Sequence, residues 1–96
     1  MPYRYSILLV LVLLHGSELI LLDARHNQLT SIGAHLCDLT NLKVFLIGSN
    51  PIVELPNCLF DMTQLEILTL FGCKLDISRE RFAKLTNLRI LGLGGK

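Results

Sequence analysis

The sequence predicts an α/β solenoid, in which short units stack side by side and share one parallel β-sheet. The first observation is a fixed period: leucines open four units at Leu19, Leu42, Leu65 and Leu88, each 23 residues after the last. The second is that apolar residues occupy the first, fourth and sixth positions of each unit, with the alternation of a strand that buries one face. One such unit cannot bury its apolar side alone, so the units must stack. The predicted strands cover residues 20–24, 43–47, 66–70 and 89–93, parallel and in chain order.

A turn is predicted at the ninth position of each unit, where the chain leaves its strand. Asn27 and Asn50 occupy this position in the first two units, and Cys73 occupies it in the third. An Asn amide both donates and accepts hydrogen bonds, so it can satisfy the backbone groups of a tight turn. A thiol bonds weakly but packs as a small hydrophobic group. We therefore expect Cys73 to be a core residue rather than a nucleophile.

The second half of each unit predicts a short helical turn on the side opposite the sheet. These turns are expected near residues 34–39, 57–62 and 79–85. Ser78 is expected to cap the third, because a serine oxygen accepts hydrogen bonds from the free amides of a first helical turn.

The repeat resembles the leucine-rich repeat, whose strand segment reads L-x-x-L-x-L. In the second unit, Leu55, Pro56, Leu59 and Met62 resemble the L-P-x-x-L-x-x-L half of the Ras-group, plant intracellular and bacterial types. The first and third units depart from this pattern, since Gly33 and Arg79 replace the proline. The resemblance covers residues 19–96. It implies a horseshoe segment with a parallel β-sheet on the concave face, short helical turns on the convex face and a role in protein–protein binding.

Composition limits the partners that the chain is expected to bind. The 96 residues suffice for one domain at most. The formal net charge of +1 indicates neither a nucleic-acid partner nor an anionic membrane surface. Three cysteines without a C-x-x-C pair, and no N-x-S/T acceptor site, argue against a disulfide framework and favour a reducing compartment. The expected localisation is cytoplasmic.

The N-terminal segment, residues 1–18, has three possible interpretations. It is an apolar cap or the remnant of an earlier repeat, a signal-like segment, or a membrane anchor that would have to include residues 7–22. A secretory or membrane localisation therefore stays open as the alternative. The fourth unit stops at its ninth position, which suggests a fragment of a longer array whose uncapped ends self-associate.

Enzymatic chemistry is not expected. The glycines before Lys96 lack the spacing of a phosphate-binding loop. The three histidines have no metal-ligand spacing with the cysteines. We expect no catalytic residue, no metal and no cofactor.

The concave face is the expected binding site for a protein partner of unknown identity. Leu46 and Phe71 are predicted to point outward on neighbouring strands and to form an apolar centre within a polar rim, the arrangement of many interfaces. Neighbouring glycines are expected to leave room for the partner. The aliphatic residues at the third position of each unit are interpreted as lateral packing within the sheet. The candidate partner-binding residues are Asp23, Arg25, His26, Leu46, Ser49, Thr69 and Phe71.

Overall fold

The computed structural model describes residues 18–94. They contain one parallel sheet of four strands, which lie in the sheet in chain order. The predicted strands and their parallel, sequential order are confirmed, although each observed strand is shorter than expected. The strands are β1 (Leu21–Asp23), β2 (Val44–Leu46), β3 (Ile67–Thr69) and β4 (Ile90–Gly92).

Strand register follows the period of the sequence. Leu22 lies beside Phe45, Phe45 beside Leu68, and Leu68 beside Leu91, so each residue faces the one 23 positions later. Equivalent positions of successive repeats therefore form rows across the sheet. The row that begins with Leu22 points into the core, where Phe45 and Leu68 are almost fully buried.

The return segments contain three short 3-10 helices: Ala34–Asp38, Asn57–Asp61 and Arg79–Phe82. They pack against the side of the core opposite the sheet through Leu36, Leu59 and Phe82, all of which are buried. The expected helical turns are confirmed in place. We refer to this side of the molecule as the helical-turn side.

Ser78 differs from the expectation in one respect. It precedes the third helical turn in extended conformation, but its side chain makes no capping hydrogen bond. The backbone N–H of Glu80 and, secondly, hydrogen bonding with the Ser78 side chain hold the pKa of Glu80 below its ordinary value. Because the Ser78 side chain does not bond to the first-turn amides, the predicted Ser78 cap is wrong.

Asn50 forms the turn that its position predicts. Its Nδ2 donates to the carbonyls of Ala24, Ile47 and Gly48 at 3.0, 2.7 and 3.2 Å. Its Oδ1 accepts from the backbone N–H of Leu29 at 3.1 Å. Ala24 and Leu29 belong to the first repeat, so this one buried amide joins two repeats.

Cys37 and Cys58 form a disulfide between the first and second helical turns, with their Cα atoms 6.1 Å apart. The expectation that the chain lacks disulfides is therefore wrong. The two cysteines are separated by 21 residues, close to one repeat, and stacking places such residues side by side. Cys73 remains a free, buried thiol.

Some predictions fall on residues that the structure does not describe, namely 1–17, 95 and 96. The cap and signal interpretations of the N-terminal segment lie there, as does the end of the fourth repeat. The anchor interpretation needs residues 7–22 and lies there only in part, because Leu21 and Leu22 belong to β1. Within residues 18–94, no helix has the length and apolar character needed to cross a bilayer.

Candidate functional site

The sheet has one face turned away from the core, which we call the open face. It carries two rows of side chains, from the third and fifth positions of the repeats. The third-position row is wholly aliphatic. Its outer members, Leu21 and Ile90, are each 51% exposed, whereas Val44 and Ile67 between them are half-buried. Neighbours shield the inner pair, which supports lateral packing, but the row still presents an apolar stripe roughly 14 Å long across four strands.

The fifth-position row mixes chemical types. Register aligns Asp23 with Leu46, Leu46 with Thr69, and Thr69 with Gly92. Leu46 and Thr69 are half-buried and Asp23 is exposed. Leu46 thus lies between an acidic and a hydroxyl side chain and extends the apolar stripe by one residue.

Phe71 lies just beyond the end of β3 and is 52% exposed. Its ring lies on β4, where a Cβ atom built on Gly92 would come within 2.6 Å of the Phe71 Cζ. A Cβ on Gly48 would lie 2.6 Å from the Phe71 carbonyl oxygen. The expectation that these glycines leave room for a partner is therefore wrong, because Phe71 itself occupies the space beside Gly48 and Gly92. The outer face of the ring remains free for contact.

Asp23 and Arg25 form a two-point ion pair at the edge of the open face. The Arg25 Nε and Nη2 donate to the two carboxylate oxygens of Asp23, each at 2.8 Å. This side-chain hydrogen bonding and, secondly, the Arg25 backbone N–H lower the pKa of Asp23 to about 2. The same pairing raises the pKa of Arg25. The pair keeps both charges fixed while leaving them accessible, since the side chains are 40% and 48% exposed respectively.

His26 and Ser49 adopt left-handed backbone conformations, with φ of 61° and 59°. Gly72 occupies the same eighth position in the third repeat, with φ of 79°. The turns are tied across repeats, because His26 N–H donates to the Gly48 carbonyl at 3.1 Å and Ser49 N–H to the Phe71 carbonyl at 2.7 Å. Both side chains are exposed as a result. The glycine at position 72 is the sequence signal that could have revealed this conformation.

The seven predicted residues form one continuous surface, since Asp23 and Leu46 are register partners on neighbouring strands. Asp23, Arg25 and His26 lie together at the end of β1. The others follow the sheet across the next two repeats, with Leu46 and Thr69 in one row and the turns of Ser49 and Phe71 joined by a backbone bond. Sequence reasoning underestimated the exposure of the third-position row, including Leu21 and Ile90, because that row was assigned to packing.

The described residues include potential metal ligands and nucleophiles. Residues 18–94 contain no group of three His, Cys, Asp or Glu side chains that could hold a metal ion. Burial raises the pKa of the Cys73 thiol, which disfavours the nucleophilic thiolate. That thiol borders a cavity of about 190 Å³ with mixed polar and apolar walls, formed by Leu70, Cys73, Leu75, Asp76, Ile77, Leu93 and Gly94.

No known protein family matches this chain, and no curated protein sequence matches it significantly.

Proposed function

We propose that this chain is a segment of a leucine-rich repeat solenoid, shaped as a horseshoe, that binds a protein partner on its concave sheet without catalysing a reaction. In this proposal the open face is the concave face and the helical-turn side is the convex face. The observation that carries the proposal is the apolar stripe of the open face, bordered by the ion pair of Asp23 and Arg25. Interfaces typically have this apolar centre and polar rim. The corresponding role is that of a scaffold or signal-transduction module in the cytoplasm.

The energetics of the stripe are sufficient for a specific contact. Full burial of an exposed Phe or Leu side chain contributes about 1.5–3 kcal/mol. Leu46 and Phe71 are already partly covered, so each gains less than this range from a partner. Leu21 and Ile90, each about half exposed, add further area at the two ends of the stripe. The fixed charges of Asp23 and Arg25 would mainly steer the encounter and set its salt dependence.

The test is partner capture by the immobilised chain, followed by titration of the purified partner. We compare wild type with Phe71→Ser and with the double variant Leu46→Ser/Phe71→Ser. The matched control is Val53→Ser, because Val53 is 62% exposed and lies outside the sheet. A second control, Lys84→Ser, changes the helical-turn side.

The double variant should weaken binding about tenfold or more, while both controls retain it. Circular dichroism and thermal melting must show that each variant is folded, and Phe71→Ser alone provides the comparison if the half-buried Leu46 proves structurally important. Equal loss in all folded variants, or loss only in the controls, would place binding elsewhere on the molecule.

The disulfide favours a second candidate function, an extracellular or membrane-tethered receptor fragment that recognises a ligand. Disulfides persist mainly in oxidising compartments, and Cys37 and Cys58 are bonded. Sequencing the N-terminus of protein recovered from expressing cells distinguishes the candidates. A chain that begins at Met1 or Pro2 has no cleaved signal, whereas a start near Ser17 or Glu18 would establish secretion.

A further inference from the structure

We propose that Cys37 and Cys58 form a thiol–disulfide switch that determines how firmly the first repeat (residues 19–41) is held against the second (residues 42–64). This inference concerns the helical-turn side and does not depend on what the open face binds. It assigns a site of reversible oxidation to two particular sulfur atoms, with a small disulfide compound such as oxidised glutathione as the reagent.

The position of the pair allows exchange. Cys37 lies in the first helical turn and Cys58 in the second, and both are only half-buried. A dissolved thiol or disulfide can therefore reach them. Cys73 differs, because it is buried and burial raises its thiol pKa. Reactivity in thiol–disulfide exchange requires access and thiolate character, so the chemistry is confined to the pair.

The cross-link forms in two exchange steps. The thiolate of one cysteine attacks a sulfur of the small disulfide, forming a mixed disulfide and releasing one small thiol. The second cysteine then attacks the protein sulfur of that mixed disulfide, which forms the Cys37–Cys58 bond and releases the second small thiol. Two protein thiols are oxidised and one small disulfide is reduced to two thiols, which carry the two protons. Excess small thiol reverses both steps.

The first repeat is held on the helical-turn side of its junction by the disulfide and by the Gln64 side chain, whose Nε2 donates to the Leu39 carbonyl at 3.3 Å. At the next junction, Phe60 and Phe82 pack with ring centroids 5.0 Å apart, and Lys84 pairs with Asp61 at 2.9 Å. At the first junction, Cys37 and Cys58 occupy the repeat positions of Phe60 and Arg81, which are in cation–π contact at the second junction. When the disulfide is reduced, the first repeat keeps the strand pairing of β1 with β2, the hydrogen bonds from Asn50 and Gln64, and its buried apolar residues. It loses the covalent link between the two helical turns.

The expected size of the effect follows from the loop that the bond closes. The two cysteines are 21 residues apart, and closing a loop of this length restricts the unfolded chain enough to shift the folding equilibrium about 100-fold. Reduction should therefore lower the protection of core amides from hydrogen exchange by about this factor. The first repeat should respond strongly, since the disulfide is one of the links that join it to the second repeat.

The experiment uses the full chain equilibrated in glutathione buffers that range from reducing to oxidising. Alkylation of free thiols followed by peptide mass spectrometry reports the state of each cysteine. Hydrogen exchange measured on the same samples reports the order of each repeat. In oxidising buffer, Cys37 and Cys58 should be blocked and Cys73 free. In reducing buffer, all three should be free, and exchange should accelerate most in residues 19–41.

Two variants keep the proposal falsifiable. Cys73→Ser should respond to the buffers as wild type does, whereas Cys37→Ala/Cys58→Ala should match reduced wild type under every condition. Circular dichroism checks that both are folded, and reduction of the wild type provides the same comparison without any substitution. The proposal is overturned if Cys37 and Cys58 stay free in oxidising buffer, if either bonds to Cys73, or if reduction leaves exchange in the first repeat unchanged.

Discussion

The two junctions between the first three repeats share one backbone arrangement but use different side chains. In the first junction, β1 pairs with β2, the Asn50 amide fills the turn, and a disulfide links the helical turns. In the second, β2 pairs with β3 and the Cys73 thiol occupies the equivalent turn position. Phe60 and Arg81, in cation–π contact, take the places of the two bonded cysteines, and the Phe60 ring also packs on Phe82.

The hydrogen-bonding capacity of the turn residue is the clearest difference. Asn50 makes four hydrogen bonds of 2.7–3.2 Å, whereas the Cys73 Sγ makes one long contact of 3.7 Å to the Ile47 carbonyl. The first junction therefore has a buried polar network and a covalent bond. In their place the second has a weakly bonding thiol, aromatic and cation–π contacts and the Lys84–Asp61 ion pair. The fixed period determines where a junction lies, but each junction can be stabilised by a different interaction.

Removing a phenylalanine ring from the second junction should cause the largest loss of stability among the variants compared below. Phe82 is 4% exposed, so Phe82→Ala should lower the free energy of unfolding by about 3–5 kcal/mol by leaving a cavity. Urea denaturation measures the loss, and hydrogen exchange should increase first in residues 65–94. Faster exchange confined to the first repeat would contradict the assignment of Phe82 to the second junction.

Removing the turn amide of the first junction should have the next largest effect. Asn50→Ala leaves the Leu29 N–H and up to three carbonyls without their partner, a cost of roughly 1–3 kcal/mol. Cys73→Ala removes one weak contact and should cost less. Denaturation of both variants tests the contrast between the two turns, and a larger loss for Cys73→Ala would reverse it.

Two substitutions at the eighth position of the repeats should change the free energy of unfolding in opposite directions. Gly72→Ala places a Cβ 3.2 Å from the Ser49 nitrogen at a φ of 79° and should destabilise by about 1–2 kcal/mol. Ser49→Gly relieves a left-handed non-glycine residue and should stabilise by about 0.5–1 kcal/mol. Thermal unfolding monitored by circular dichroism measures both; two shifts of the same sign would show that backbone strain does not govern these turns.

Loss of the cation–π contact at the second junction should be a small effect. The Arg81 guanidinium lies 4.0 Å from the centre of the Phe60 ring, and exposed contacts of this kind contribute about 0.5–1 kcal/mol. Arg81→Ala should lower stability by this amount in urea denaturation. Arg79→Ala in the same helical turn is the matched control, and an equal loss there would attribute the effect to charge alone.

The smallest expected effect is the acid titration of the first repeat. The folded-state pKa of Asp23, about 2, lies below its ordinary value of 3.8. The ion pair with Arg25 therefore adds to stability at higher pH, and this contribution is lost as pH falls from about 4 to about 2. NMR titration of the Asp23 carboxyl carbon should show the low midpoint. Arg25→Gln should return it toward 3.8, while Lys43→Gln should leave it low.

The rows of the sheet were predictable because their signal is periodic. Leu22, Phe45 and Leu68 recur every 23 residues and alternate with outward positions, which defines strand, register and buried face together. Features that depend on the distance between neighbouring repeats were not predictable in this way. The Cys37–Cys58 bond joins residues that are 21 positions apart, two fewer than the 23-residue period. The two cysteines therefore occupy different positions of the repeat, and the period does not predict their contact.

The sequence pattern also does not predict in which direction an outward side chain lies along the sheet. Alternation shows that Phe71 points away from the core, but not that its ring lies sideways over Gly92. The outward orientation predicted for Leu46 and Thr69 is confirmed, while their role in binding stays a prediction. The sequence prediction misjudged the space beside Phe71, because that space depends on a residue in the following repeat.

This dependence has a consequence for protein engineering. Designers often average the repeats of an array into one ideal unit and then copy that unit many times. In this chain, an averaged repeat would have a phenylalanine at its seventh position and a side chain at its fifth. The ring of one copy would then collide with the fifth-position side chain of the next, whereas Gly92 leaves space for the ring of Phe71. The averaged repeat would also place a side chain at position 48, whose Cβ would meet the backbone oxygen of Phe71 at 2.6 Å. The smallest unit that can be copied without steric conflict is therefore a matched pair of repeats.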